Sequence, residues 1–282
     1  TGFETIRLVG NNAAPVSTLI GQNSYNLTLT NDLIDANGGD MIHIINDNDV
    51  NNDEADEVAT ASTGTEFAAT IDARTLNAQN HFSYNGEEGA SRTTDKFILG
   101  DANVNGANVI DGGAEDNDGD TTFAANDDIL EVRNTATVTT GDLANVKNVG
   151  TIAGSNDQAT EQTLVLQLND TVIDALVDSY HASSTTEVET LNIRLNDTAD
   201  VTAVAGMGID LDTTATTAKS AVTVFLDTIV AAGAVDTLKV GFGLLTVGDV
   251  DVLSPGYGVD GAFESTVDTV QLSVSKFGLT DD

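Results

Sequence analysis

The chain has 282 residues, with 45 Asp and Glu against 10 Lys and Arg, a formal charge of -35. That charge excludes a nucleic-acid binder working by phosphate neutralisation and argues against docking on an anionic membrane surface. It keeps a protein in solution but opposes compaction by self-repulsion, so cations or salt must offset it.

Apolar residues make up 40% of the chain, enough for a core. There is no Cys, so disulfides are excluded and metal ions become the candidate staple. No apolar run reaches the roughly eighteen residues that a membrane-spanning helix needs. The chain begins Thr1-Gly-Phe-Glu4, with no Met and no signal-peptide pattern, and reads as a mature or excised piece of something longer.

In chain order, alternating apolar residues predict strands at Phe3–Leu8, Ser24–Thr30 and Met41–Ile45. The polar stretch Asn46–Thr65 reads as a long loop. Further strands follow at Phe67–Asp72, Lys96–Leu99, Asn108–Ile110 and Ile129–Val132. The one good helix signal is Asp170–Tyr180. Asp170 can cap its N-terminus, and Val172, Leu176 and Tyr180 share a face. Ala221–Leu226 reads as another strand.

A phrase of apolar, acid, Thr, aliphatic, any, aliphatic recurs at Phe3–Leu8, Val188–Ile193, Val235–Val240 and Val267–Leu272. A longer echo sets Thr163–Thr171 against Thr190–Thr198. A spacing in the twenties fits one coil of a β-solenoid, each strand stacking on its predecessor. Two prolines and many Gly, Asn and Asp punctuators complete an all-β pattern with short loops. The expected fold is all-β: elongated β-solenoid-like or β-sandwich modules carrying long acidic calcium-binding loops. The composition shift near Asp101–Asp128 divides the chain into an N-terminal β module, 1–110, and a C-terminal solenoid-like module, 111–282.

Chemistry concentrates in two acidic runs. Between Asp111 and Asp128 stand seven carboxylates in eighteen residues. Calcium takes six to eight oxygen ligands in a flexible shell. Acids at alternate positions, Asp116, Asp118 and Asp120, can converge on it where the backbone turns. Counting from Asp116, Asp127 takes the twelfth position, where a helix-loop-helix calcium site carries its bidentate acid. Thr121 replaces the expected Gly, and no helices flank the loop. Asp111 and Asp128 bracket the run as further ligands. The second run, Asp47, Asp49, Asn51 and Asp53, begins with the same alternation. A solvated acidic loop is the alternative for both.

Gly38-Gly-Asp-Met-Ile-His43 and Asp111-Gly-Gly-Ala114, followed by Asp127–Val132 and Thr140–Val149, resemble degenerate pieces of the calcium-binding repeats of RTX-type bacterial surface proteins. The composition, rich in Thr, Asn, Asp, Gly, Ala and Val and poor in Lys, is also common in bacterial surface and exported proteins. No tandem glycine-aspartate nonapeptides stand in a row, so discrete sites are expected rather than a calcium-filled roll. The resemblance implies export, Ca2+-dependent folding outside the cell, and a structural or adhesive role at the bacterial cell surface.

Enzyme signals are poor. His43, His81 and His181 are the only histidines. His43 reads as a packed or surface residue of an alternating strand. No Walker or dinucleotide loop occurs, and without Cys zinc is disfavoured. Carboxylate pairs are too abundant for any one to be informative. There is no Trp, and only 4 Tyr, to build a sugar platform.

The expected function is therefore non-enzymatic: a secreted calcium-binding structural protein that self-assembles into a surface layer or filament. Its partners would be copies of itself and cell-surface polysaccharide, with no nucleic acid and no membrane insertion. An adhesin domain for a receptor or glycan, and a polysaccharide-acting β-solenoid enzyme, are the alternatives. Halophilic adaptation would explain the charge but not the alternation of acids.

Overall fold

The computed structural model describes residues 5–9, 24–38, 41–47, 68–86, 94–113, 128–134, 136–156, 162–178, 189–197, 207–213, 220–225, 237–242, 250–253 and 269–272. The first elements are β1 (Thr5–Val9), β2 (Ser24–Thr28), α1 (Asn31–Asp35), β3 (Met41–Asp47), β4 (Ala68–Asp72), β5 (His81–Asn85) and β6 (Lys96–Gly100). Next come β7 (Val109–Asp111), β8 (Ile129–Arg133), β9 (Ala136–Val138), β10 (Val146–Lys147), β11 (Thr151–Asn156), β12 (Gln162–Leu168) and α2 (Asp170–Asp178). The last are β13 (Glu189–Asp197), β14 (Met207–Thr213), β15 (Ser220–Phe225), β16 (Thr237–Phe242), β17 (Val250–Leu253) and β18 (Thr269–Leu272).

Alternation forms the strands and sets their faces. In β4, Ala69 and Ile71 are buried between half-exposed neighbours. Pairing is parallel in every ladder among the described strands, and in the N-terminal part each strand pairs with the next but one. Strands β1, β3, β5, β7 and β10 form a first sheet. An eight-stranded sheet runs β17-β15-β13-β11-β8-β6-β4-β2. A third sheet runs β18-β16-β14-β12-β9.

The eight-stranded sheet joins the two halves. One face carries Ile71, Phe97, Leu130 and Ile152 in register, all fully buried. Phe97 meets Tyr84 of the first sheet edge to face, ring centroids 4.8 Å apart. The third sheet adds Leu164, Leu166 and Leu168 to that same core. On the opposite face Glu131 and Ala153 are also fully buried. Strands covered on both faces lose their alternation, as β8 and β11 show.

Both helices have side-chain caps. Thr30 Oγ1 accepts from the Leu33 N–H at the start of α1, which buries Ile34. That helix has no counterpart in the sequence reading. At α2 the cap is Asn169, whose Oδ1 accepts from the Val172 N–H at 2.9 Å, one residue before the expected Asp170. Val172, Ile173 and Leu176 are buried; Tyr180 lies outside the described residues. The Ala175 and Leu176 carbonyls accept from the Asn148 and Val149 N–H groups at 2.9 and 2.7 Å. The helix thus takes the next place beside β10.

These findings correct the expected all-β fold of solenoid-like or sandwich modules. Among the described residues the fold is mixed α/β, with three parallel sheets and two α-helices, and none of the sheets closes on itself. A sandwich would be built from antiparallel hairpins; here every described ladder is parallel. A coil repeating from end to end would keep its strands in one set of layers. Instead the chain leaves for the third sheet at β9, returns once to the first at β10, and then inserts a helix. The echo of Thr163–Thr171 in Thr190–Thr198 marks no stacked pair either. Strands β12 and β13 belong to different sheets.

The RTX-type resemblance fails with the fold. Gly112 of the Gly-Gly turn is packed so closely that a Cβ would collide with the Asn148 carbonyl and the Asp128 carboxylate. The glycine serves protein packing there. A contiguous buried core from Leu8 to Ile193 also replaces the expected extended, self-assembling surface-layer or filament module. Among the described residues no three His, Cys, Asp or Glu side chains group to hold a metal ion. The RTX-like, surface-layer and adhesin-like characterisation is overturned with the fold, and the described residues lend the calcium-binding part of it no cluster.

Candidate functional site

The described polar chemistry lies inside the core, on the two faces of the eight-stranded sheet. Asp95 and Asp128 precede β6 and β8, and the register stacks them over Ala69. Asp95 Oδ1 accepts from the Ala69 N–H at 2.6 Å, and Asp128 Oδ1 accepts from the Asp95 N–H at 2.6 Å. Each carboxylate thus takes up a backbone donor of the layer before it. Both residues are buried, at 4% and 3% exposure.

Tyr84 reaches Asp95 from the first sheet. Its hydroxyl donates to Asp95 Oδ2, and Asn46 Nδ2 donates to the Tyr84 oxygen at 3.0 Å. Burial pushes the Asp95 carboxyl up to about 6, against hydrogen bonds from Tyr84, Ala69 and Asn46 that favour the anion. Burial, with the Asp95 charge beside it, raises the Tyr84 hydroxyl well above its ordinary value.

On the other face Glu131, fully buried, forms ion pairs with Lys96 and Arg133. Ser155 Oγ donates to its Oε1 at 2.6 Å. Burial raises this carboxyl too, but the Lys96 and Ser155 hydrogen bonds and the two cations outweigh it, leaving the group below its ordinary value. Asp72 is likewise lowered: burial is overcome by Arg74, 2.7 Å away.

Of the ten sequence-predicted ligands, Asp111, Asp128 and Asp47 lie among the described residues. Asp111 accepts from Asn148 Nδ2 at 2.6 Å and from the Gly113 N–H at 3.2 Å, and pairs with Lys147 at 2.6 Å. Asp128 presses on Gly112, so the two flanks of the acidic run meet there. Asp47 ends β3 opposite Val9. Asp116, Asp118, Asp120, Asp127, Asp49, Asn51 and Asp53 lie outside the described residues. His43, expected to be packed or at the surface, is exposed, its Nδ1 2.6 Å from Ser83 Oγ.

Sequence reasoning missed Tyr84, Asp95 and Glu131. A signal for Asp95 existed: Asp95-Lys-Phe-Ile-Leu99 and Asp128-Ile-Leu-Glu-Val132 share an acid before an apolar strand, 33 residues apart. Nothing local marks Glu131 as internal: its partners Lys96 and Ser155 come from neighbouring strands.

As to chemistry, these groups tie layers together and tune proton affinity. At such depth they are closed to a substrate. No protein-family model matches the chain, and no match is found among curated proteins or solved structures.

Proposed function

We propose that the chain is a non-catalytic, acid-rich scaffold domain working outside the cell, in a medium that supplies its counter-cations. One observation carries this. Four of its 10 cations, Arg74, Lys96, Arg133 and Lys147, are engaged in ion pairs within the framework. Wherever the rest of the chain runs, 10 cations cannot neutralise 45 acids. The surplus must be balanced from outside, by dissolved cations or by a cationic macromolecular surface. In this reading Ca2+ acts as an exchanging counter-ion rather than as an ion in a built site. The depth of Asp95, Asp128 and Glu131 supports a non-catalytic role.

The test is thermal melting across ionic strength, with NaCl and CaCl2 matched. Between 0.01 and 1 M the screening length falls from about 30 to about 3 Å. The melting temperature should climb steeply over that range in either salt. A flat profile would overturn the reading, and turnover of any polysaccharide by the purified chain would replace it with an enzymatic one.

A further inference from the structure

The first sheet turns a different chemistry outward. In β3, Ile42 and Ile44 are buried in the core, so half-buried Met41 and exposed His43 take the other face. In β5, Phe82 and Tyr84 are buried, so His81 and Ser83 share that outer face. Register sets Met41 opposite His81 and His43 opposite Ser83. Two of the chain's three His and one of its two Met therefore meet on one patch of two adjacent strands.

Neighbouring strands lie about 4.8 Å apart and rise about 3.3 Å per residue. Diagonal neighbours, about 7–8 Å apart, stay within reach of long side chains. His43 and His81 are such a diagonal pair, with Met41 opposite one and two residues along from the other. The His43 ring leans towards β5, its Nδ1 2.6 Å from Ser83 Oγ. With Nδ1–H donated to that hydroxyl, Nε2 keeps its lone pair, the arrangement that orients imidazole ligands in metal sites. His81 Nδ1 is shielded from water and has no hydrogen-bond partner. Buried polar atoms almost always find one, so this nitrogen asks for a ligand. We propose that Met41, His43 and His81 form a site for a soft monovalent metal ion of the copper(I) class.

The donor set selects the ion. Two imidazoles and a thioether suit copper(I), whereas Ca2+ requires six to eight oxygens. Three donors also fall short of the closed tetrahedron of structural zinc. Asp111, an acid on the same face, is already engaged by Lys147 and Asn148. The surplus negative charge of the chain draws cations of every kind to its surface, and the soft donors decide which one stays.

The experiment titrates the purified chain with Cu(I), kept reduced by ascorbate under nitrogen, against a chromogenic Cu(I) chelator in excess CaCl2. Ca2+ occupies carboxylates and leaves thioether and imidazole alone. The chain should retain a single Cu(I). His43→Gln, His81→Gln and Met41→Leu should each weaken retention by about tenfold or more, since even groups that only support a ligand act on that scale. Met207→Leu, at the other methionine, should leave it unchanged. No retention against the chelator, or wild-type retention in any of the first three variants, overturns the site. If a variant does not fold, carbon-13 NMR of wild type decides. The Met41 methyl and the His43 and His81 imidazole signals should move together as Cu(I) is added, and signals that stay in place overturn the proposal.

Discussion

The two faces of the eight-stranded sheet bury acids of the same chemistry and shift them in opposite directions. On the face towards the first sheet, Asp95 meets neutral donors and a second carboxylate, and its proton affinity rises. On the face away from it, Glu131 is buried more deeply, yet two cations and Ser155 hold its proton affinity down. Depth alone therefore does not fix the charge state. Desolvation raises both groups, and the partner decides the sign. One sheet thus carries two polar bridges, Tyr84–Asp95 and the charged group around Glu131, with opposite proton preferences.

The largest expected effect comes from breaking the charged bridge. Glu131→Ala leaves the almost fully enclosed Arg133 charge without its carboxylate, while Lys96 is 32% exposed, at an expected loss of about 3–5 kcal/mol in urea unfolding. A loss under about 1 kcal/mol would mean that the cations escape to water. The pH dependence sharpens the contrast. Because the Glu131 carboxyl is lowered, its contribution is present above 4.5, the ordinary value, and is lost as pH falls through the folded value. The stability gap between wild type and Glu131→Gln should narrow below pH 4.5.

A smaller effect is expected from crowding the other bridge. Gly112→Ala places a methyl against the Asn148 carbonyl and the Asp128 carboxylate. Backbone must move, at an expected cost of about 1–3 kcal/mol, and the Asp128–Asp95 contact moves with it. Thermal melting checks this. An unchanged midpoint would show that the turn yields freely.

The smallest effect belongs to the exposed counterpart. Lys147 is 49% exposed where it meets Asp111. Lys147→Ala should cost no more than about 0.5 kcal/mol, since water screens the pair and Asn148 also supports the carboxylate. A cost approaching that of Glu131→Ala would undo the distinction between buried and exposed bridges.

The sequence by itself determined where most strands run and which way their side chains point. The described part of each copy of the acid-Thr-aliphatic phrase falls on a strand, β1, β13, β16 or β18, and the last two stand in register, Thr237 opposite Thr269. Alternation is a local property of an extended chain, so it is legible without partners. The Asp170 helix was legible for the same reason, with its cap displaced by one residue to Asn169.

Only the tertiary structure decided which strands meet. Parallel neighbours are joined through another layer, so the partner of β6 is chosen by chain that is distant in sequence. That choice stacked the last two phrases, β16 on β18, and sent the other two to separate sheets. It made Asp128 an acceptor for the Asp95 N–H, because the register places that donor under its carboxylate. It also gave Asp95 and Glu131 opposite charge preferences, since they sit on opposite faces of the sheet among different partners. An acid's meaning depends on what lies within a few ångströms of it, and no local pattern records that.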